Sequence, residues 1–383
     1  MKLWKVWSVF GAGTAALCSM LAYQAGCSST PAADAGAQGL PPSPCSGSSC
    51  TPAGTGVETF AINNLLLGES DRGGVASNTA WKSYGYNLDG LVTTKDDTNV
   101  CTLTSGAPKS NQADGNNGVD NAFGSVILPI IETAASLPTP STTISQAIQK
   151  GDFTIQLQVT GLDDTATQNS TGLKGQLFAS GAYDNGTPTF DSTTDWPVSG
   201  LLLNNPSDIS SGSKINFSAA YITNGTFVSG DLTTGGITVT ISLVFQGVPL
   251  ALSVNHAVIT FDHTGAADAA NGTIAGVIDT EELITGLKSV AGRISASLCG
   301  SAFDGIANQI RQASDIIKDG SNKSGVPCDG ISIGLGFTGK KIANPTKIAS
   351  DDGSVPPDPC STDGGTTTDS STTDSSTTDA AGE

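Results

Sequence analysis

The chain has 383 residues, with 17 basic and 35 acidic side chains and a formal charge of −18. A surface so acidic excludes nucleic acid as a partner, because phosphate binding needs clustered Lys and Arg. Only 14% of residues are charged and 47 are glycine, a balance that suits exported β structure with many polar turns better than a cytosolic enzyme.

Residues 1–26 read as a lipoprotein signal peptide. Lys2 and Lys5 give a positive start, an apolar run extends from Val6 to about Ala22, and Ala25-Gly26 precede Cys27. That layout is too short and wrongly flanked for a stable membrane span. Ala-Gly-Cys resembles the lipobox, in which the cysteine is acylated and becomes the first mature residue, although Gln24 departs from the usual aliphatic residue. Removing the signal leaves 15 basic against 35 acidic residues, a net charge of −20. Ser28 follows the cysteine where an inner-membrane retention signal would place Asp, so the expected location is the outer membrane, with the lipid anchor as the membrane partner. "GAGTAA" (11–16) mimics a dinucleotide fingerprint but lies inside the signal, without the strand such a site needs.

Residues 27–56, rich in Ser, Pro, Gly and Ala, predict a flexible tether spanning roughly 30 Å. Residues 57–360 are the expected single globular domain. "VETFAINNLLLGES" opens it as a strand, and a polar segment with Trp81 and "YGYNLDG" follows. "VDNAFGSVILPIIETAAS" and "STTISQAIQKG" predict helices, the first broken or kinked at Pro129. From Gly151 the period becomes two, with Phe153, Ile155, Leu157 and Val159 on one face. "GQLFASGAY", "KINFSAAYI" and "GTFVSGDL" predict further strands. Ile237, Val239, Ile241 and Leu243 alternate into a turn at Gln246-Gly247 and return through Leu250, Leu252 and Val254, a hairpin pattern. "GTIAGVID" adds a strand. A capping box at Asp279 and Glu282 starts one helix. Ser301 with Asp304 starts the next, which buries Phe303, Ile306, Ile310, Ala313 and Ile317 and ends at Gly320. "DGISIGLGFTG" returns as a strand. The fold class is mainly β: an antiparallel β-sandwich or curled sheet with flanking helices. Residues 361–383 repeat Ser-Ser-Thr-Thr-Asp, an acidic tail expected to be disordered.

Outside the signal and Cys27 there are six cysteines, Cys45, Cys50, Cys101, Cys299, Cys328 and Cys360. They read as three structural disulfides formed under oxidising conditions. The favoured pairs are Cys299–Cys328, bracketing one helix, and Cys45–Cys50, closing a local loop.

The stretches "FAINNLLLGES", "GYNLDG", "DGNNGVDNAFGSVILP" and "IQKGDFTIQLQVTGLD", with a late "CDGISIGLGF" strand, resemble a group of bacterial lipoproteins. The resemblance implies one exported domain and marks the Asn/Asp loop as a group feature; it implies no activity.

Candidate sites follow from residue chemistry. Asp114, Asn116, Gly118 and Asp120 stand at alternating positions, as in a calcium loop, with Asp89 as a distant oxygen donor. Val119 replaces the glycine of an EF-hand, and Ser125 its bidentate Glu. Calcium is the cofactor this set would hold, and the alternative is that these residues cap their own turns. "GISIG" (330–334) matches a nucleophile elbow, but both histidines, His256 and His263, precede it, the wrong order for that triad. Trp196, before a proline in a turn, is the expected ligand platform among Trp81, Tyr84, Tyr86, Tyr183 and Tyr221. Glu281 and Glu282 read as helix-start charges, whereas Glu69 and Glu132 have no structural role in sight. No catalytic residue is assigned. The expectation is a non-enzymatic envelope protein presenting a binding or structural surface, with glycan or protein as its partner; the alternative is an envelope hydrolase acting on glycan or peptide through carboxylates that the sequence does not locate.

Overall fold

Where apolar and polar side chains alternate, the chain forms strands, and eight of them close on one another. The computed structural model describes residues 39–350 and Cys360, apart from 136–138, 164, 166, 246–247, 264, 266–267 and 295–297. In chain order the strands are β1 (Thr51–Pro52), β2 (Val57–Leu66), β3 (Ile155–Thr160), β4 (Ser170–Ala179), β5 (Leu203–Asn205), β6 (Asp208–Ser213), β7 (Asn216–Thr223), β8 (Thr226–Val228), β9 (Ile237–Phe245), β10 (Val248–Asp262), β11 (Asp268–Asp279) and β12 (Gly330–Ile342). The helices are α1 (Leu128–Ala135), α2 (Pro140–Lys150), α3 (Thr280–Ile294) and α4 (Ser301–Gln312).

The mainly β reading holds, but the sandwich is corrected to a barrel. The ring runs β2-β3-β4-β7-β8-β10-β11-β12 and returns to β2, every pair antiparallel. The ring joins strands far apart in sequence, with Phe60 opposite Lys341 on one side and Leu157 on the other, and Gly175 opposite Phe217. Closure gives every ring strand two neighbours, the most complete solution to unpaired sheet edges. β9 extends the sheet beside β10, β1 lies parallel to β4, and β5 with β6 forms a separate hairpin. The turn at Gln246-Gly247 lies outside the described residues.

Side chains fill the barrel. Phe60, Leu157, Val159, Leu173, Phe217, Phe227, Phe261, Ile274, Leu335 and Phe337 belong to one buried cluster. Phe227 stacks on Phe261 at 4.7 Å between centroids, and Phe60 meets Phe261 at 5.4 Å. Facing glycines make room: a Cβ at Gly272 would lie 2.4 Å from the Phe337 ring. Eight strands are the size at which side chains just fill a barrel.

Helix α2 packs against β2 through Ser145 and Ser141, whose hydroxyls accept the backbone N–H of Leu65 and Leu67. Asp279 caps α3 by accepting from Glu281 N and Glu282 N. α4 differs from expectation. Its N-cap is Gly300, Ser301 is its first residue, and it ends at Gln312. Ile316 bridges to Gly330 on the last strand, and that tertiary pairing wins over the apolar period running to Ile317.

The disulfides are Cys45–Cys50, Cys101–Cys328 and Cys299–Cys360. The expected Cys299–Cys328 pair is thus corrected. The bridge of Thr102 to Pro327 holds Cys328 beside Cys101 instead. The N-terminal segment also differs from a free tether, because residues 39–56 lie on the barrel. Tyr221 and Thr223 donate their hydroxyls to Pro42 O and Ser43 O.

Candidate functional site

Residues 68–121 cross the outer face of the barrel, and their polar side chains set two features. The first is an acid group. Asp120 is buried and accepts Leu88 N through Oδ2 at 2.7 Å. Asp114 accepts Thr93 N at 2.5 Å. Asp315, from the segment after α4, accepts Ser332 N at 2.9 Å and Ser332 Oγ at 2.6 Å. Asp89 accepts Asn322 Nδ2 at 2.8 Å. Burial, reinforced by the neighbouring acids, pushes Asp114 up to about 7 and Asp120 well above the carboxylate range. Burial also pushes Asp315 up to about 7 despite its bonds to Ser332.

Of the five residues expected around calcium, Asp89, Asp114 and Asp120 therefore approach one another. The other two lie apart. Asn116 donates to Ser83 Oγ, and Gly118 turns the chain at φ +82° against Asn87 and Leu91. Asn121, the residue after Asp120, is a structural hub. Its Nδ2 donates to Trp81 O, Tyr84 O and Gly334 O, and its Oδ1 accepts Gly124 N and Gly334 N. Among the described residues, no group of three or more His, Cys, Asp and Glu side chains is placed to hold a metal ion.

Ser332 is buried, as its strand alternation requires, and its hydroxyl donates to Asp315 and accepts Ala122 N at 2.8 Å. It has no access to a substrate. Trp196, the expected platform, is corrected to a core residue. It is fully buried, its Nε1 donates to Gly181 O at 2.8 Å, and Tyr183 and Phe190 pack on it. The proline turn that suggested exposure folds back under the 181–190 loop.

The second feature is a cleft of about 600 Å³ on the barrel flank. Gly68, Glu69, Ser77, Asn78, Trp81, Ser125, Leu128 and Glu132 are among the residues that line it. Local sequence builds each wall. Pro129 has no N–H for a bond to Ser125 O, so an α-helix cannot run through unchanged. The chain takes a π turn over Phe123–Ile127, with Leu128 N bonding Phe123 O, a device frequent at functional sites. The expected kink at Pro129 is thus absorbed one turn earlier. Ser125, Leu128, Pro129 and Glu132 then share the face toward the cleft, at the spacing of helical neighbours. Trp81 sits on a short helical turn, Ala80–Ser83, half-buried. Its Cβ fits only because Gly68 and Gly124 oppose it: added Cβ atoms there would come within 3.2 and 2.7 Å.

The two cleft carboxylates differ. Both oxygens of Glu69 are acceptors, from Ser141 N at 2.6 Å and Ser141 Oγ at 2.7 Å, at the start of α2. Glu132 has no hydrogen-bond or ion-pair partner among the described residues, and burial, then Glu69, raise it above the ordinary glutamate range. The remaining described glutamates have other work. Glu58 pairs with Lys341 at 2.8 Å, Glu281 with Arg311 at 2.6 Å, and Glu282 accepts Ser253 N. That leaves Glu69 and Glu132, the pair the sequence could not place, in the cleft. Trp81 is the functional candidate that sequence reasoning passed over in favour of Trp196.

No protein-family model, curated protein or solved structure matches the chain.

Proposed function

We propose that this is a lipid-anchored protein of the cell envelope, fastened at the outer membrane through Cys27, whose barrel domain binds glycan in the Trp81 cleft. Three disulfides in the folded domain agree with an oxidising compartment. The signal-like first 26 residues and Cys27 supply the export and anchoring half of the reading.

The single observation that carries the binding half is a half-buried indole sharing one cleft with two carboxylates, two hydroxyls and an amide. A sugar ring offers an apolar C–H face and a rim of hydroxyls. The indole matches the first, and Glu69, Glu132, Ser77, Asn78 and Ser125 match the second. Among the described residues the barrel interior is packed with side chains, Phe60 and Phe227 both lying against Phe261. The −18 charge also favours neutral or cationic glycans over polyanionic ones.

The test is a glycan array followed by calorimetric titration of the hits. Binding should weaken at least tenfold in Trp81→Ala and stay unchanged in Lys109→Ala, an exposed position outside the cleft. A protein that binds no glycan, or whose Trp81→Ala variant binds as well as the parent, removes this reading.

A further inference from the structure

We infer that the cleft cleaves the glycan it holds, with Glu132 as proton donor to the glycosidic oxygen and Glu69 as the base that accepts the proton of an attacking water. This rests on glycan occupying the cleft, as proposed above, and adds a reaction to it.

The argument is one of unequal environments. Hydrolysis of a glycosidic bond needs two carboxyl groups in opposite protonation states, set apart by their surroundings. Glu69 is fixed by the backbone N–H and hydroxyl of Ser141, with both oxygens used as acceptors. It also stands at the N-terminus of α2, where the helix dipole favours negative charge. Glu132 lacks such donors. It projects from α1 into the cleft, half-buried, and its burial and the neighbouring Glu69 favour the protonated form. Each carboxyl group comes from a different wall of one cavity, and Trp81 provides the apolar surface that would orient a ring between them.

The step balances without a cofactor. The Glu132 proton passes to the glycosidic oxygen as the bond from the anomeric carbon to that oxygen breaks. A water oxygen bonds to the anomeric carbon, and its proton goes to Glu69. The products are an alcohol and a hemiacetal of inverted configuration, and the two carboxyl groups return to their starting states by exchange with solvent. Nothing is oxidised or reduced.

The experiment takes the glycans that bind and incubates each with the purified full chain, reading new reducing ends by mass spectrometry and anomeric configuration by NMR. Cleavage is expected, with Glu132→Gln and Glu69→Gln each lowering turnover at least about a hundredfold, the range for loss of a general acid or base, while affinity changes less than tenfold. Glu132→Gln should regain activity on a 2,4-dinitrophenyl glycoside, whose leaving group needs no proton. A merely structural Glu132 would give no such recovery, and unchanged melting temperatures exclude misfolding. Bound glycan that stays intact, or a Glu132→Gln variant as active as the parent, overturns hydrolysis and leaves binding standing. A protein that binds no glycan removes both.

Discussion

Asn121 is the residue on which the cleft wall depends most. Its amide ties the Trp81 turn, the start of the π turn and the middle of β12 together through five hydrogen bonds. Asn121→Asp keeps the oxygen that serves Gly124 and Gly334 but loses every donor and buries a charge beside carbonyls. An unpaired buried charge of this kind is strongly destabilising, on the order of 3–5 kcal/mol. The expected result is a large fall in the urea midpoint together with loss of glycan binding. An Asn121→Asp variant with parental stability would mean that the hub is dispensable. Trp196 gives a contrasting case at the same scale. Trp196→Ala empties a fully buried site and should cost about 3–5 kcal/mol, whereas Trp196→Phe should leave glycan affinity as it was. The two tryptophans also show how far single residues were legible. Trp196 precedes a proline and Trp81 does not, so local chain chemistry pointed to Trp196, which is buried. What buries Trp196 is the packing of Tyr183 and Phe190 from the loop just before it, a fold of the loop that no periodic pattern announces.

At the scale of elements, alternation is easy to read and partners are not. β3, β9 and β10 fall in stretches whose period of two is plain in the sequence, and β2, β4, β7, β8, β11 and β12 fall within or beside stretches read as strands. Barrel closure depends on which strand lies beside which, and nothing in the Phe60 or Lys341 neighbourhoods announces that they meet. α4 stops early for the same reason, because Asp315 and Ile316 are claimed by β12. The segment carrying Asp89, Asp114 and Asp120 docks onto that same Asp315, and the coulombic neighbours that act on Asp114 and Asp120 are all acids. The group is therefore expected to hold protons. Folded-state values raised above the usual 3.8 of an aspartate mean that the native state binds more protons than the unfolded chain between about pH 4 and 7. This contribution is fully present below about pH 4 and is lost as pH rises through about 7. For Asp315 alone it is about 4 kcal/mol; the coupled groups do not simply add to it. Urea unfolding at pH 5 and at pH 8.5 should show higher stability at the lower pH, and Asp315→Asn should flatten the difference. Chelation separates this from calcium binding. Shared protons predict a melting temperature that EDTA leaves unchanged, whereas a drop on adding EDTA would place a cation among these carboxylates.

For the molecule as a whole, the question is what keeps a closed barrel closed when its ring joins strands far apart in sequence. Strand β12 pairs with β2 across most of the chain, and such non-local pairing carries a large loop-closure cost in the unfolded state. Cys101–Cys328 acts on this cost, because it ties the start of β12 to the loop that covers its outer face, with a sequence separation of 227. In the chain-entropy account a loop of that length is worth about 5 kcal/mol, against about 2 kcal/mol for one the size of Cys45–Cys50. Cys299–Cys360, separated by 61, falls between them and anchors the C-terminal end against the segment between α3 and α4. The spacing of the cysteines revealed only the short loop, since pairing across a barrel is a property of its closure and not of the local chain. Replacing both members of each pair by alanine should therefore rank the losses in the order of loop length. Cys101→Ala with Cys328→Ala should lower the urea midpoint most, and should also slow refolding, because the non-local seam it guides carries a large loop-closure cost. Cys45→Ala with Cys50→Ala should shift it least and leave glycan binding intact, because that loop is short and does not line the cleft. A reversed ranking would mean that the barrel is held by its packed rings alone, with the long disulfide an onlooker.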